Sequence, residues 1–197
     1  MPDITPNPEA LFARLQNTPD AAGSQDTASR VPVLCGDLNM RIDREGVWYY
    51  QGSPIGRKPL VRLFSRVLRR DADGSYWLVT PVERGRIVVE DAPFLAVAVD
   101  AEGRGRGQTL RFRTNVDDEV VADKAHPIRV IHDPVTAEPR PYVLVRGGLE
   151  ARIARAVYYE LVALGGCECV DGRSHYGVWS GDRFFPLGRP EESCEPC

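Results

Sequence analysis

The sequence predicts an α+β protein made of two similar units, each an antiparallel sheet covered by one long helix. Three observations carry that prediction. Short segments alternate with period two: Leu38, Met40 and Ile42 are set against Asn39, Arg41 and Asp43, the pattern of a half-buried strand. Two other segments, LVRLFSRVLRR and LEARIARAVYYELVAL, repeat their apolar residues at helical spacing. Each of these follows two strand patterns and a glycine loop, and an Asp-Gly turn comes after each, at Asp73-Gly74 and Asp171-Gly172. An order of elements that returns in this way points to a duplicated strand-strand-helix-strand-strand unit.

Residues 1–30 read as an N-terminal arm and linker. PEALFARLQ puts Leu11, Phe12 and Leu15 on one face of a short helix, and NTPDAAGSQDTAS is a polar connector. The first domain is expected over 31–92. Its alternating strand turns through DREG into the strand VWYYQ, and the loop GSPIGRKP leads into a helix at 59–69. DADG then turns into SYWLV, and GRIVVED closes the domain. The second domain is expected over 93–188, beginning with a hairpin insert, APFLAVAVD and QTLRFRTN, around a solvated EGRGRG tip. IRVIHD (128–133), PRPYVLVR (139–146), the Gly147-Gly148 loop, a helix at 149–164, HYGVWS and DRFFPL complete it. Residues 189–197 form a cysteine-containing tail.

Composition narrows the function classes. A net charge of -3 and a pI near 5.7 argue against a protein that wraps a nucleic-acid backbone. Apolar runs such as FLAVAV are strand-length, too short for a bilayer, so no membrane partner is expected. The segment MPDITPNPEALF has neither the basic start nor the apolar core of a signal peptide, which predicts a cytoplasmic protein. The five cysteines, Cys35, Cys167, Cys169, Cys194 and Cys197, are odd in number and predict no disulfide framework. CEC and the terminal CEPC contain four thiols, but Cys-x-Cys is an unusual zinc half-site. CEPC also lacks a following helix to lower a thiol pKa. No metal and no cofactor are therefore expected.

The stretch YYQGSPIGRKP, before a helix, resembles a phosphate cradle in composition. It is not a Walker loop: three residues separate Gly52 from Gly56, and Pro59 stands where a magnesium-binding hydroxyl belongs. Pro59 fits the first helical turn, which puts Lys58 at the cap, with no side-chain acceptor for the free amides. Leu60, Leu63, Phe64, Val67 and Leu68 form the apolar face, opposite Lys58, Arg62, Arg66, Arg69 and Arg70. Either Glu83, Glu90 and Asp91 neutralise this basic face, or a bound anion does. No Gly-x-Ser-x-Gly or His-Glu-x-x-His motif is present, and His126, His132 and His175 are scattered. Asp37, Asp43 and Glu45 read as turn-flanking acids, so no catalytic residue is assigned.

Gly36-Asp37, Met40-Arg41-Ile42, Gly46, Trp48, Tyr50, Gly52 through Ile55 and Arg57 through Ser65 resemble a bacterial family, domain of unknown function 1285. Tyr76, Leu78 through Glu83 and Glu90 through Phe94 extend the resemblance, which thins out towards Leu187. It implies a duplicated core, a second domain like a pleckstrin-homology barrel, and a signalling role with a nucleotide-like ligand between the domains. The expected function is thus non-enzymatic: an adaptor or binding protein holding a small anionic, nucleotide-like ligand. One wall of the expected site is Tyr50, Gly52, Ser53, Arg57, Lys58 and Arg62; the other is Arg111, Arg113 and Arg146. Two alternatives stand beside it. One is a hydrolase or transferase of a phosphorylated metabolite using Asp37 or Glu83; the other is a module whose basic helix docks on an acidic protein partner.

Overall fold

In the computed structural model, described over residues 33–81 and 83–188, the chain divides after Glu90 into two compact units. The arm helix and the CEPC tail lie outside the described residues. The fold is α+β and mostly sheet. Among the described residues no helix is long and apolar enough to cross a membrane.

The first unit runs β1 (Val33–Ile42), β2 (Trp48–Tyr50), β3 (Ser53–Pro54), α1 (Lys58–Val67), β4 (Leu68–Arg70), β5 (Tyr76–Val79) and β6 (Glu83–Val89). Its six strands form one sheet in the order β3-β2-β1-β6-β5-β4. The central pair, β1 with β6, is parallel and every other pair antiparallel, which corrects the expectation of a wholly antiparallel sheet. A parallel pair needs a long crossover, and the outer strands with α1 supply it. Met40 and Ile42 are buried as their alternation requires. Trp48 is buried too, its ring stacked 6.2 Å from that of Phe64 on α1. The Asp43 carboxylate accepts the Glu45 and Val47 amides at 3.0 and 2.8 Å, holding the turn into β2.

Leu60 and Phe64 anchor α1, which ends at Val67 rather than at residue 69. Leu68, Arg69 and Arg70 pair instead with Leu78, Trp77 and Tyr76. The ladder to β5 outweighs two more residues of helix. Arg69 still serves the helix end, donating to the Arg66 and Leu68 carbonyls at 2.9 and 2.8 Å.

The second unit begins with β7 (Phe94–Glu102), a 3-10 turn (Gly105–Gly107), β8 (Thr109–Thr114), β9 (Glu119–Val121), β10 (Ile128–His132) and β11 (Pro139–Arg146). It continues with β12 (Leu149–Ile153), α2 (Arg155–Leu164), β13 (Gly166–Val170), β14 (Arg173–Ser180) and β15 (Arg183–Gly188). One sheet has the order β10-β11-β12-β7-β8-β9, with β12 and β7 parallel, and β13-β14-β15 form a second, antiparallel one.

Three expectations are corrected here. The helix at 149–164 begins only at Arg155. Gly147 and Gly148 both have positive φ, 50° and 75°, and close a tight hairpin between β11 and β12. In β12, Leu149, Ala151 and Ile153 point into the core with strand periodicity. The residues expected as an insert are likewise integral, since β7, β8 and β9 make half of the larger sheet. The EGRGRG tip is exposed throughout, as expected, and is anchored from the residue after it. Gln108 is buried and donates to the Trp179 carbonyl at 3.0 Å, and Arg106 lies 4.9 Å from the Trp179 ring centroid. Finally, Cys167 and Cys169 are disulfide-bonded, although the odd cysteine count predicts no disulfide framework.

The first unit reads three antiparallel strands, a ten-residue helix and three more strands, and the second has that same order from β10 to β15, after β7, β8 and β9. The expectation of two strands on each side is thus one short. In the first unit the outer members, β1 and β6, share a ladder; in the second, β10 and β15 lie against each other from separate sheets.

A buried cluster in the second unit makes a pH prediction. The Tyr142 hydroxyl donates to Asp91 Oδ1 at 2.7 Å, and burial, with the Asp91 carboxylate second, pushes its phenol up to about 12. Because the folded state holds this proton more tightly, its contribution is complete below pH ~10, the usual phenol range, and is lost as pH rises towards 12. The stability gap between wild type and Tyr142→Phe, from urea midpoints, is expected to shrink between about pH 10 and 12. A gap that stays constant would contradict the assignment.

Candidate functional site

The opening loop is a hairpin turn before it is anything else. Gln51 and Gly52 have φ of 49° and 81°, so the two residues between Tyr50 and Ser53 both adopt the left-handed conformation. Tyr50 pairs with Ser53, and the Gln51 amide donates to the Asn39 carbonyl at 2.9 Å. Gly52 is therefore required by the turn. Gly56 has no positive φ, and a Cβ added there meets nothing within 4 Å. The glycines do not form a cradle of successive amides.

The helix start also differs by one residue from expectation. Arg57 is the cap, with no side-chain capping hydrogen bond, and Lys58 and Pro59 are the first two helical residues. Pro59 has no amide, and Leu60 donates its own to the Arg57 carbonyl at 3.0 Å. Fewer amides are thus available to an anion than a Lys58 cap implies. What remains is charge. Arg57, Lys58 and Arg62 are exposed, each with an interaction of its own, and no acidic residue lies in the first turn. Lys58 and Arg62, four apart, share a helix face. Of the three carboxylates expected to neutralise them, Glu90 pairs with Arg41 at 2.5 Å. Asp91 serves Tyr142 and, at 3.5 Å, Arg152. Tyr50 is half-buried, and burial raises its phenol.

The arginines of the second set each lie beside an acid. Arg111 and Arg113 are exposed along β8; Arg111 lies 3.8 Å from Glu119, and Arg113 stands opposite Glu119 in the ladder. Arg146 pairs with Asp118, its guanidinium 4.9 Å from the Phe94 ring centroid. These contacts leave a mixed-charge surface in the second unit. Asp37 accepts the Asn39 amide at 2.7 Å and stands opposite Arg86 on β6. Among the described residues, no three His, Cys, Asp or Glu side chains come together as a metal site.

Two concave places in the second unit were missed by the sequence reading. A cavity of about 310 Å³ lies between the 3-10 turn and β13–β14, lined by Arg106, Gln108, Glu168 and Trp179. Arg106 pairs there with Glu168 at 2.5 Å, and Trp179 Nε1 donates to the same carboxylate at 3.2 Å. A second cavity, of about 200 Å³, lies where β12 meets α2 and holds Arg152, Arg155, Tyr158 and Tyr159. A helix running unbroken from 149 hides it. The break at Ala154 is what opens it.

Family models cover most of the chain. Residues 29–92 match the N-terminal domain of DUF1285, described as a domain of unknown function, and residues 93–187 match the DUF1285 C-terminal domain, described as a protein of unknown function. A crystal structure of a DUF1285 family protein from Silicibacter pomeroyi DSS-3 is 48% identical, with 92% of this chain and 96% of that chain covered and a TM-score of 0.77. Another, from Shewanella baltica OS155, is 27% identical over 64% of this chain and 91% of that one, with a TM-score of 0.50. No curated protein matches. Two consecutive domain matches and a 48% identical solved relative establish that the chain belongs to the DUF1285 family.

Proposed function

We propose that this protein is a non-enzymatic binding or adaptor protein for a small anionic, nucleotide-like ligand, acting in signal transduction in the cytoplasm. The observation that carries it is the exposed basic start of α1, where Arg57, Lys58 and Arg62 stand at the positive end of a helix with no acid in its first turn. Like charges on one helix face cost a few tenths of a kcal/mol per pair, roughly 0.2–0.5, and an anion offsets that cost. Arginine grips a phosphate with two parallel hydrogen bonds, and lysine adds a point charge. Tyr50, Gly52 and Ser53, on the adjoining hairpin, supply an aromatic face and a hydroxyl. Arg111, Arg113 and Arg146 of the second unit belong to the same proposal.

The repeated order of strands and helix supports descent of both units from one ancestral unit. The two packed sheets of the second unit are compatible with the pleckstrin-homology likeness that the family resemblance implies. Native mass spectrometry of the purified protein tests the ligand directly. The expected result is a bound anionic small molecule that is lost in Arg57→Ala/Arg62→Ala. A variant that retains the same adduct at the same occupancy would remove α1 from the site.

A further inference from the structure

The disulfide on β13 and the ion pair beside it form one local unit. We propose that Cys167–Cys169 is a reversible redox site, which exchanges with a low-molecular-weight thiol and sets the state of the neighbouring cavity. Its position argues against a structural staple. The bond joins residues only two apart, and a cross-link that closes so short a loop restricts the unfolded chain little. β13 is held without it by a ladder to β14 that runs from Gly166 opposite Gly177 to Val170 opposite Arg173. Both cysteines are exposed, and β13 is an edge strand of its sheet, so a soluble thiol reaches the sulfurs without opening the core. Exposed disulfides of this kind are the labile ones, whereas structural disulfides resist the glutathione pool.

The residue between the cysteines gives the bond something to control. Strand alternation puts Glu168 on the face opposite Cys167 and Cys169. There its carboxylate pairs with Arg106 at 2.5 Å and accepts from Trp179 Nε1 at 3.2 Å, in the wall of the cavity of about 310 Å³. Arg106, whose side chain is 73% exposed, is held in place by that carboxylate and by the Trp179 ring. The disulfide ties the backbone on both sides of Glu168. Opening it leaves β13 to its ladder alone and lets Glu168 move against Arg106 and Trp179. The exchange has two steps. A thiolate bonds to one sulfur of the pair as the Cys167–Cys169 bond breaks, and the other cysteine leaves as a thiolate and takes a proton from solvent. A second thiol then attacks the mixed disulfide, so that two thiols are oxidised to one disulfide while the protein gains two electrons and two protons.

Equilibrating the folded full chain in glutathione buffers of graded redox ratio, then blocking thiols with iodoacetamide and mapping the peptides by mass, tests the proposal. The peptide holding Cys167 and Cys169 is expected to pass from unlabelled to doubly labelled across the series, and to return when oxidised glutathione is restored. The indole N–H signal of Trp179, identified by nitrogen-edited NMR with Trp179→Phe, should shift in step with the labelling. Cys167→Ser and Cys169→Ser should each fold, by circular dichroism, and carry one glutathione on the remaining cysteine of the pair. Cys167→Ser/Cys169→Ser should hold the Trp179 signal at its reduced position in every buffer. A pair labelled only after unfolding in urea would be a structural staple and would overturn the proposal. A pair that stays reduced in the most oxidising buffer, or folded single variants that capture no glutathione, would overturn it equally. Complete labelling with an unmoved Trp179 signal would overturn the control of the cavity.

Discussion

Phe64→Ala is expected to destabilise the first unit by about 3–5 kcal/mol, the range for removing a fully buried aromatic ring. Phe64 is fully buried, and its ring lies 6.2 Å from Trp48 at an interplanar angle of 18°. It ties α1 to β2, two elements with few other large contacts to offer: β2 has three residues, and only Leu60, Phe64 and Ser65 of α1 are buried. The cavity left by the ring would be lined by Trp48, so tryptophan fluorescence in a urea titration reads the loss directly. A midpoint equivalent to less than about 1 kcal/mol of destabilisation would mean that α1 is not held through this residue.

Gly177→Ala is expected to cost about 2–3 kcal/mol or more, although it adds one methyl group. A Cβ at this position would stand 2.3 Å from the Phe185 carbonyl oxygen and 2.7 Å from the Phe184 ring. The obstacle is backbone on the paired strand, where the β14–β15 register already shifts between Tyr176 and Gly177. A side chain can swing aside; a ladder carbonyl cannot move without breaking its sheet. Gly166→Ala provides the matched control, since a Cβ there meets nothing within 4 Å and its φ is ordinary. That variant should stay within about 0.5 kcal/mol of wild type. Equal stability of the two variants would show that the close approach of β14 and β15 does not constrain residue 177.

The strands of the core were legible because burial imposes period two, as at Met40 and Ile42. The third strand of each meander was not. β3 has two residues, too few to show a period, and β4 reads as the last turn of α1 until its ladder with β5 is seen. β13, GCECV, looks like a loop and is a strand whose cysteines are disulfide-bonded. LEARI was ambiguous in a different way. Its apolar residues satisfy both periods over so short a span, and only the double glycine turn before it decides for a strand. The candidate site was half legible. The basic face of α1 is local in sequence and could be read directly. Asp118 lies twenty-eight residues from Arg146, and no local pattern announces that pair. The wall of the second cavity comes from β12 and α2, and the misplaced helix start concealed it.

Anion binding at the start of α1 is tested most directly by a thermal-shift titration. Inorganic phosphate and adenosine monophosphate are added to the wild-type protein and to Arg57→Ala/Lys58→Ala. Neither side chain is part of the buried face of α1, so the double variant is expected to fold. A ligand that binds only the folded state at about a hundred times its Kd adds ~2.7 kcal/mol of stability, well within reach of the measurement. The wild-type melting temperature should rise with adenosine monophosphate, and the rise should vanish in the double variant. A wild-type melting temperature indifferent to both anions, with the double variant uniformly less stable in every buffer, would show the basic start of α1 to be structural and would contradict the proposed function.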